Sequence, residues 1–339
     1  MPRHIVVPAE WAEQDFVQLT CPHADTDWAY MLDEVNACFA NIAREIAKRE
    51  KLLIVCQNEK EVKALLKDVE LKNIIFAELP SNDAWARDHG GITVFIDGRP
   101  LVYDFAFNGW GLKFAANHDN QITRRLFEKG VFGSGIQYKD CLDIVLEGGS
   151  IESDGKGTLL TTAQCLLAPN RNNKTKEEIE TVLTALFGLK QILWLHHGYL
   201  AGDDTDSHVD TLARFCPGDT IAYVQCGDEK DEHYDELRKM EEELRRFRTL
   251  DGRPYRLLPL PMADAVYDEN GGRLPATYAN FLVINNAVLT PAYNSPKDER
   301  AKRQLEKAFP EREIVSIDCR SLIKQHGSLH CVTMQYPAP

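Results

Sequence analysis

The sequence predicts an α/β fold built from a strand–strand–helix–strand unit that is repeated about five times. Four stretches have two β-rich arms around a tight turn, and helix-like stretches follow most of them. The turn centres lie near residues 97, 155, 218 and 286, so they are spaced by 58, 63 and 68 residues. A regular spacing of this size is typical of proteins made of repeated units.

The elements follow from turn chemistry and from hydrophobic periodicity. Asp-Gly, Pro-Gly-Asp or Asn-Asn separates the arms of each hairpin, as expected for tight β-turns. The predicted hairpins are 92–104, 150–162, 211–224 and 280–290, and the predicted helices are 30–49, 121–128, 176–187, 231–247 and 298–308. After the first helix we expect a strand over 52–56. A strand over 16–20 would pair with one over 332–335, which completes the fifth unit and closes a ring.

Composition narrows the class of protein. The 339 residues carry 39 basic and 52 acidic side chains, a net charge of -13, which argues against nucleic acid or an anionic membrane surface as a partner. No apolar run approaches the roughly 20 residues that a bilayer requires. The N-terminus shows no secretory signal, and nine cysteines without a CxxC pair indicate reduced thiols, so we expect a cytoplasmic protein.

Ionisable residues recur near the ends of the predicted hairpins. Asp88 and Glu147 are 59 residues apart, Glu147 and His208 are 61 apart, and His208 and Cys331 are 123 apart, about two steps. The remaining position falls near residue 270, where Tyr-Asp-Glu-Asn-Gly-Gly again resembles a strand end or a turn. We expect successive units to direct one side chain each toward a common axis.

The acidic run before residue 211 predicts a cluster on one strand face. His208 and Asp210 are two residues apart, so an extended strand would direct both to one side, together with Asp204 and Asp206. An imidazole and a carboxylate on one face can form an acid–base pair or bind a cation. A core histidine or a solvated face is the commoner use of a single His-x-Asp pattern.

Four further residues are candidates. Glu147 follows an apolar segment and needs a partner if it is buried. Trp85 and Trp110 lie in loops beside carboxylates, where they could sandwich a cationic group, although simple packing is more common. Cys331 is the candidate nucleophile, at the start of a strand. Its neighbour His330 would then point to the opposite face, so His208 is assigned as the base and His330 as packing or loop support.

Taken together, the motifs resemble those of the agmatine deiminases. The motifs are Trp-x-Arg-Asp-x-Gly at 85–90, Glu-Gly-Gly at 147–149, Asp-Asp-Thr-x-x-His-x-Asp at 203–210, Tyr-x-Asn-Phe at 278–281 and His-Cys-x-Thr-x-Gln at 330–335. These enzymes belong to the bacterial peptidylarginine/agmatine deiminase family of the guanidino-group-modifying pentein superfamily. The resemblance covers nearly the whole chain. It implies one catalytic domain over 1–339 with a five-bladed α/β propeller around a central substrate channel.

The resemblance also implies a role for each candidate residue. It makes Cys331 the nucleophile, His208 the general acid/base, Asp88 and Asp210 the guanidinium ligands and Glu147 the residue that orients the histidine. Asp204 would bind the far end of agmatine, and Trp85 and Trp110 would flank the channel. No metal or organic cofactor is required, the partner is a small cationic guanidine, and a homodimer is compatible with the family. The sequence departs from the family pattern at His326-Gly-Ser-Leu, at Ser207 and at Met334.

Four functions remain open at this point. The leading one is hydrolysis of agmatine to N-carbamoylputrescine and ammonia through a covalent amidino-cysteine intermediate. The others are deimination of free or peptidyl arginine, a metal-dependent amidohydrolase that uses the Asp/His run, and a protein that only binds. Too few histidines accompany His208 to favour the metal site, because His196-His197 lies in another stretch. Arg171 has no assigned role.

Overall fold

The structure, a computed structural model, describes residues 3–339 and is an α/β fold of small separate sheets. Its strands are β1 (Ile5–Val6), β2 (Gln14–Thr20), β3 (Lys51–Cys56), β4 (Ile74–Glu78), β5 (Ile92–Ile96), β6 (Arg99–Ala106), β7 (Gln137–Val145), β8 (Ile151–Ser153), β9 (Thr158–Thr162), β10 (Gln191–Leu195), β11 (Ala213–Cys216), β12 (Thr220–Gln225), β13 (Arg256–Pro261), β14 (Val266–Tyr267), β15 (Arg273–Leu274), β16 (Leu282–Ile284), β17 (Ala287–Ala292), β18 (Glu313–Asp318) and β19 (Thr333–Pro337).

Helices cross over between the strands. They are α1 (Leu32–Ala47), α2 (Glu59–Leu65), α3 (Ala86–His89), α4 (Gly109–Leu112), α5 (Ile122–Glu128), α6 (Ala163–Leu166), α7 (Lys176–Phe187), α8 (Tyr234–Arg246) and α9 (Lys297–Ala308). Local chemistry explains the ends of α7, where Thr175 and Glu178 form a capping box and Gly188 adopts a left-handed φ of 65°. None of the helices within 3–339 combines the length and the apolar character needed to cross a membrane.

The repeated unit is present five times in the described residues. In each case an antiparallel pair of strands is followed by a helix and by a strand parallel to the second of the pair. The units are β5-β6-β7, β8-β9-β10, β11-β12-β13, β16-β17-β18 and β19-β2-β3, and β1, β4 and the ribbon β14-β15 are additions. The predicted α/β class and the predicted hairpins are therefore confirmed.

The two ends of the chain share one sheet, as predicted. β2 runs antiparallel to β19, with Leu19 opposite Thr333 and Val17 opposite Gln335, and β3 continues the sheet in parallel. Helix α1 packs against β3 and β18. It buries Val35, Phe39, Ile42 and Ile46, which lie on one helical face because they recur every three or four residues.

Two local predictions are wrong. The hairpin expected from residue 211 begins at Ala213, because Val209–Thr211 forms a 3₁₀ turn. The strand expected from residue 332 begins at Thr333, so Cys331 lies in the turn before it. Both segments precede the first strand of a repeated unit, and both carry candidate site residues. Backbone groups in these two segments form hydrogen bonds with side chains instead of with a neighbouring strand.

Candidate active site

The candidate residues come from equivalent places in the five units. Asp88 lies on α3 before β5, and Glu147 lies before β8. His208 precedes the 3₁₀ turn before β11 and Asp210 lies within that turn, while Cys331 lies before β19. Helix α3 contacts both β19 and the turn at Gly148–Ser150, and that turn contacts Val209–Thr211. The repeat thus places one turn of each unit at a shared centre.

Asn280 occupies the fifth place, before β16, so the position expected near residue 270 is wrong. Residues 268–272 form the exposed turn of the β14-β15 ribbon instead. Asn280 is fully buried, and its Oδ1 accepts hydrogen bonds from the amides of His330 (2.9 Å) and Cys331 (3.3 Å) and from Cys331 Sγ (3.4 Å). The motif Tyr-x-Asn-Phe contains this residue, but the spacing of ionisable groups does not point to it, because an amide is not ionisable.

Gly149 shows how close three of the candidates lie to each other. A Cβ on this glycine would be 2.6 Å from His208 Nδ1, 2.9 Å from Asp88 Oδ1 and 3.1 Å from Asp210 Oδ2. No side chain fits in this space, so the glycine allows an imidazole and two carboxylates to meet. His208 Nδ1 is 3.7 Å from Asp88 Oδ1.

The two aspartates are held differently. Asp88 accepts a hydrogen bond from the Gly149 amide at Oδ1 (3.0 Å) and one from Trp110 Nε1 at Oδ2 (2.9 Å). Asp210 is fully buried and accepts a hydrogen bond from His330 Nδ1 at Oδ2 (2.7 Å), while its Oδ1 has no partner among the described residues. A buried carboxylate oxygen without a donor is costly, and a cationic ligand with N–H groups would satisfy it.

His330 is more than packing. Its Nε2 lies 2.7 Å from Glu10 Oε1 and 3.0 Å from Arg214 Nη2, so the ring links Asp210 to a buried ionic network. The expectation that strand neighbours point to opposite faces did not apply, because 330–331 is a turn. Burial and the nearby Arg214 and Arg87 charges lower the pKa of His330.

His208 is buried, and neither ring nitrogen has a hydrogen-bond partner among the described residues. Burial by itself would lower its pKa, but the charge of Asp88 and contributions from Cys165 and Glu147 raise the pKa well above its usual value. The negative charge of Asp88 beside the ring therefore favours its protonated form. The segment that carries His208 and Asp210 is not an extended strand, because Asp206 and Ser207 adopt left-handed φ angles of 65° and 63°. The prediction that Asp204, Asp206, His208 and Asp210 line one strand face is therefore wrong.

Glu147 has the partner that its burial demands. Arg171 Nε donates to both carboxylate oxygens at 3.0 Å, and neither side chain is exposed. The other end of the guanidinium binds Asp206 Oδ2 (2.6 Å) and the Thr205 carbonyl (2.9 Å). Arg171 thus connects Glu147 to the loop that carries His208. One side-chain atom of each of Glu147, His208 and Cys165 that could bind a metal ion lies within 4.8 Å of the other two.

Cys331 has the environment of a protonated thiol. Burial and the charges of Asp210 and Asp88 raise the pKa of its thiol well above the usual value, although hydrogen bonds with the Ser328 backbone and the Asn280 side chain act against them. Its position is fixed by a hydrogen bond from the Arg87 amide to its carbonyl (3.1 Å).

A cavity of ≈ 190 Å³ opens onto Cys331 and Asp88. Trp85, Trp110 and Phe114 form its aromatic walls, and Asp204 lies on its lining; the other acidic lining residues are Asp27, Asp83 and Asp203. Gly327 makes room for Trp85, because a Cβ there would lie 2.2 Å from the indole. His208, Glu147 and Asp210 lie behind this lining, around Gly149.

The acidic run divides into structural and free carboxylates. Asp203 accepts from the Ser207 amide (2.7 Å) and the Thr205 hydroxyl, and Asp206 pairs with Lys113 and Arg171. Within residues 3–339 no such side-chain bond is found for Asp204, whose pKa is raised by burial and by Asp203. Asp204 is therefore the member of the run that is free to meet a ligand.

Comparisons with known proteins place the chain among deiminases. A family model described as Porphyromonas-type peptidyl-arginine deiminase matches residues 6–337. The agmatine deiminase of Stutzerimonas stutzeri is 32% identical over 98% of this chain and 95% of its own. Among solved structures, a putative arginine deiminase from Porphyromonas gingivalis is 56% identical with a TM-score of 0.95, covering 98% of both chains. A cysteine-to-serine variant of the C. jejuni agmatine deiminase with substrate bound is 39% identical with a TM-score of 0.92, covering 100% of this chain and 98% of that one.

Proposed function

Because the chain belongs to the Porphyromonas-type peptidyl-arginine deiminase family, we propose that it hydrolyses agmatine to N-carbamoylputrescine and ammonia. The observation that carries this proposal is the ≈ 190 Å³ cavity, which has a thiol and a carboxylate at one end and further carboxylates along its lining. Agmatine is a dication with a guanidinium at one end and an ammonium at the other. No lysine or arginine is found on the described lining to bind a substrate carboxylate.

Asp88 and Asp210 bind the guanidinium in this proposal. The unpartnered Oδ1 of Asp210 accepts one N–H, and Asp88, held by Gly149 and Trp110, accepts others. Forked N–H donors suit paired carboxylates, which fix the guanidinium carbon in front of Cys331. Binding of the cation also offsets the two negative charges that hold the Cys331 thiol protonated, so substrate lowers the pKa of this thiol. The thiol proton leaves to solvent, because His208 already carries a proton at this stage.

His208 supplies and removes protons around this attack. The thiolate adds to the guanidinium carbon, and His208 in its charged form protonates the departing nitrogen. Ammonia departs, and an amidino-thioether remains on Cys331. Neutral His208 then takes a proton from a water that attacks the same carbon. Collapse expels the thiolate and releases the carbamoyl product. Glu147, fixed by Arg171, keeps a negative charge beside the imidazole in both steps.

The far end of the cavity selects the substrate. Asp204 would bind the ammonium of agmatine, with Trp85 and Trp110 flanking the aliphatic chain. Arginine would bring a carboxylate to this acidic region. We expect agmatine to be preferred over arginine by more than about a hundredfold in kcat/KM, which corresponds to roughly 3 kcal/mol for a misplaced buried charge.

Two other functions are weaker. Deimination of free or peptidyl arginine uses the same reacting groups, but it requires the acidic cavity to accept a carboxylate or a peptide. A metal-dependent amidohydrolase would require a site such as Glu147, Cys165 and His208. The guanidinium of Arg171 already occupies both oxygens of Glu147, and a second cation there would meet its charge.

The proposal extends to the architecture. The five repeated units, each with one turn at the shared centre, support a five-bladed propeller around the substrate channel and a single catalytic domain over 1–339. The nine cysteines are free thiols, which supports a reducing compartment such as the cytoplasm. A homodimer stays a prediction.

Ammonia release from a panel of guanidines tests this function. Agmatine, arginine and benzoyl-arginine amide would be compared with wild type, Asp204→Asn and, as a control on an exposed helix face, Asp235→Asn. We expect agmatine to be the best substrate, Asp204→Asn to reduce its preference, and Asp235→Asn to have no effect. Comparable efficiency on arginine would reject the choice of agmatine, and activity that is lost in EDTA and restored by zinc would reject the metal-free mechanism.

A further inference from the structure

His326 lies on the lining of the active-site cavity, near Asp203 and Asp204. It follows the 3₁₀ turn Leu322–Gln325 and adopts a left-handed φ of 66°, a conformation that a residue with a Cβ seldom takes. The left-handed residue ends the 3₁₀ turn, and its imidazole lies on the cavity lining, where its free polar atom can meet a ligand.

One ring nitrogen of His326 is already committed. Nδ1 lies 2.7 Å from the carbonyl oxygen of Gly202. Because a carbonyl can only accept, Nδ1 must carry the proton. In the neutral ring, Nε2 is then an acceptor with a free lone pair, and no hydrogen bond to Nε2 is found within residues 3–339. The Gly202 carbonyl therefore fixes which tautomer faces the cavity.

We propose that His326 is a specificity-determining residue whose Nε2 accepts a hydrogen bond from the terminal ammonium of the substrate, beside the Asp204 carboxylate. This inference rests on the proposed deiminase function and narrows the substrate class to guanidines with a second primary ammonium at the far end of the chain. An imidazole nitrogen adds a hydrogen-bond acceptor at this place without adding a negative charge. The lining already has four other carboxylates besides Asp88, and another negative charge would add repulsion when no ligand is bound.

The test compares agmatine with n-pentylguanidine, in which a methyl group replaces the ammonium. The variants are His326→Gly and, as a matched control, Asn294→Gly, which also replaces a left-handed residue (φ 58°) but at an exposed position away from the cavity lining. Glycine is favoured at positive φ, so removing the imidazole does not strain the fold. Steady-state ammonia release gives kcat and KM for both substrates.

We expect wild type to prefer agmatine and His326→Gly to lose roughly tenfold or more of that preference, mainly through a higher KM for agmatine. The kcat/KM for n-pentylguanidine should stay within about threefold, as should both substrates with Asn294→Gly. An equal loss on both substrates, no change, or a gain on agmatine in His326→Gly would each overturn the proposal; a gain would show that the ring acts as a repelling cation. Failure of the deiminase function is distinct, since wild type would then release ammonia from neither guanidine.

Discussion

The two oxygens of Asp210 have different environments, and this division is central to the site at the scale of single residues. Oδ2 is bound to His330, while the buried Oδ1 has no protein donor in the described residues. Burial would raise the pKa of Asp210, but the hydrogen bond and charge of His330 lower it, so the carboxylate is ionised before substrate arrives. The protein thus retains a negative charge that only a cationic ligand can satisfy.

The state of Cys331 gives the first prediction. Because burial, Asp210 and Asp88 raise the pKa of its thiol well above the usual value, iodoacetamide should label Cys331 slowly at pH 7.5, and the rate should still rise at pH 9. Mass spectrometry of the labelled peptide measures this rate. A Cys226→Ser background removes the half-buried thiol that would otherwise compete. A rate that levels off below pH 8 would mean that the free enzyme already holds a thiolate.

The pKa of Asp88 gives the second prediction. Burial raises its pKa to about 6, with Asp210 and Glu147 acting in the same direction against His208 and Trp110. Above pH 6 the carboxyl is ionised and binds the guanidinium, whereas below pH 6 it becomes neutral. The Kd of agmatine for a Cys331→Ala variant, measured by calorimetry, should therefore rise as the pH falls from 7.5 to 5.5, approaching about tenfold per unit.

Asp83 must be separated from this effect, because it also lines the cavity and burial raises its pKa to about 6. The same titration on Cys331→Ala with Asp83→Asn should keep its pH dependence if Asp88 is responsible. An agmatine affinity that does not change across this pH range would contradict the role of Asp88.

At the scale of elements, α4 is the least regular and the most important for the cavity. Gly109, Trp110, Gly111 and Leu112 all have positive φ, so this is a left-handed turn and not a true helix. The turn directs Trp110 Nε1 toward Asp88 and is closed by the Asn108 side chain, which accepts from the Gly111 amide (2.8 Å). The sequence Asn-Gly-Trp-Gly indicates a loop, but not its handedness.

Gly109→Ala should therefore reduce activity. A Cβ at this position would lie 2.2 Å from the Phe114 carbonyl oxygen, so the turn must shift and Trp110 loses its place beside Asp88. We expect kcat/KM for agmatine to fall by roughly tenfold or more. Gly98→Ala is the matched control, since Gly98 has a similar φ of 78° but open space around it. It should cost about 1 kcal/mol of unfolding free energy and leave kcat/KM unchanged. Equal kinetics of the two variants would contradict this role of the turn.

At the scale of the whole molecule, a buried ionic network joins four of the five units. Arg214 on β11 binds Glu152 on β8 and Glu10 near the N-terminus, and it donates to the carbonyls of Ala279 (3.1 Å) and Phe281 (2.8 Å) before β16. Its Nη2 also reaches His330 before β19. Burial acts to raise the pKa of Glu10, but Arg214, His330 and Arg87 hold it well below the usual value.

Arg214→Met should destabilise the fold strongly, because it leaves Glu10 and Glu152 buried without their cation. We expect a loss of about 3–5 kcal/mol in the free energy of unfolding, measured by urea denaturation. The control is Arg253→Met, which removes an arginine that is 65% exposed and pairs with Asp219 and Asp251. That variant should lose no more than about 1 kcal/mol. A similar small loss in Arg214→Met would show that the network does not hold the units together.

The sequence by itself determined the repeated elements and the residue types of the site. Turn dipeptides such as Asp97-Gly98 and the periodicity of helices such as α7 depend on nearby residues, so the hairpins and helices could be predicted. The sequence also placed Asp88, Glu147, His208 and Cys331 at equivalent phases. Their predicted roles stay predictions, because only kinetics tests them.

Only the tertiary structure decided how these residues are paired. Asn280 lies 51 residues from Cys331, Arg171 lies 24 from Glu147, and His330 lies 120 from Asp210, and no local pattern links such partners. The same reason explains the wrong strand at His208 and Asp210. The backbone amide and carbonyl of His208 form hydrogen bonds with the hydroxyl groups of Thr205 and Thr211, and the charged side chains interact with neighbouring units. These contacts outweigh the alternation of polar residues that suggested a strand.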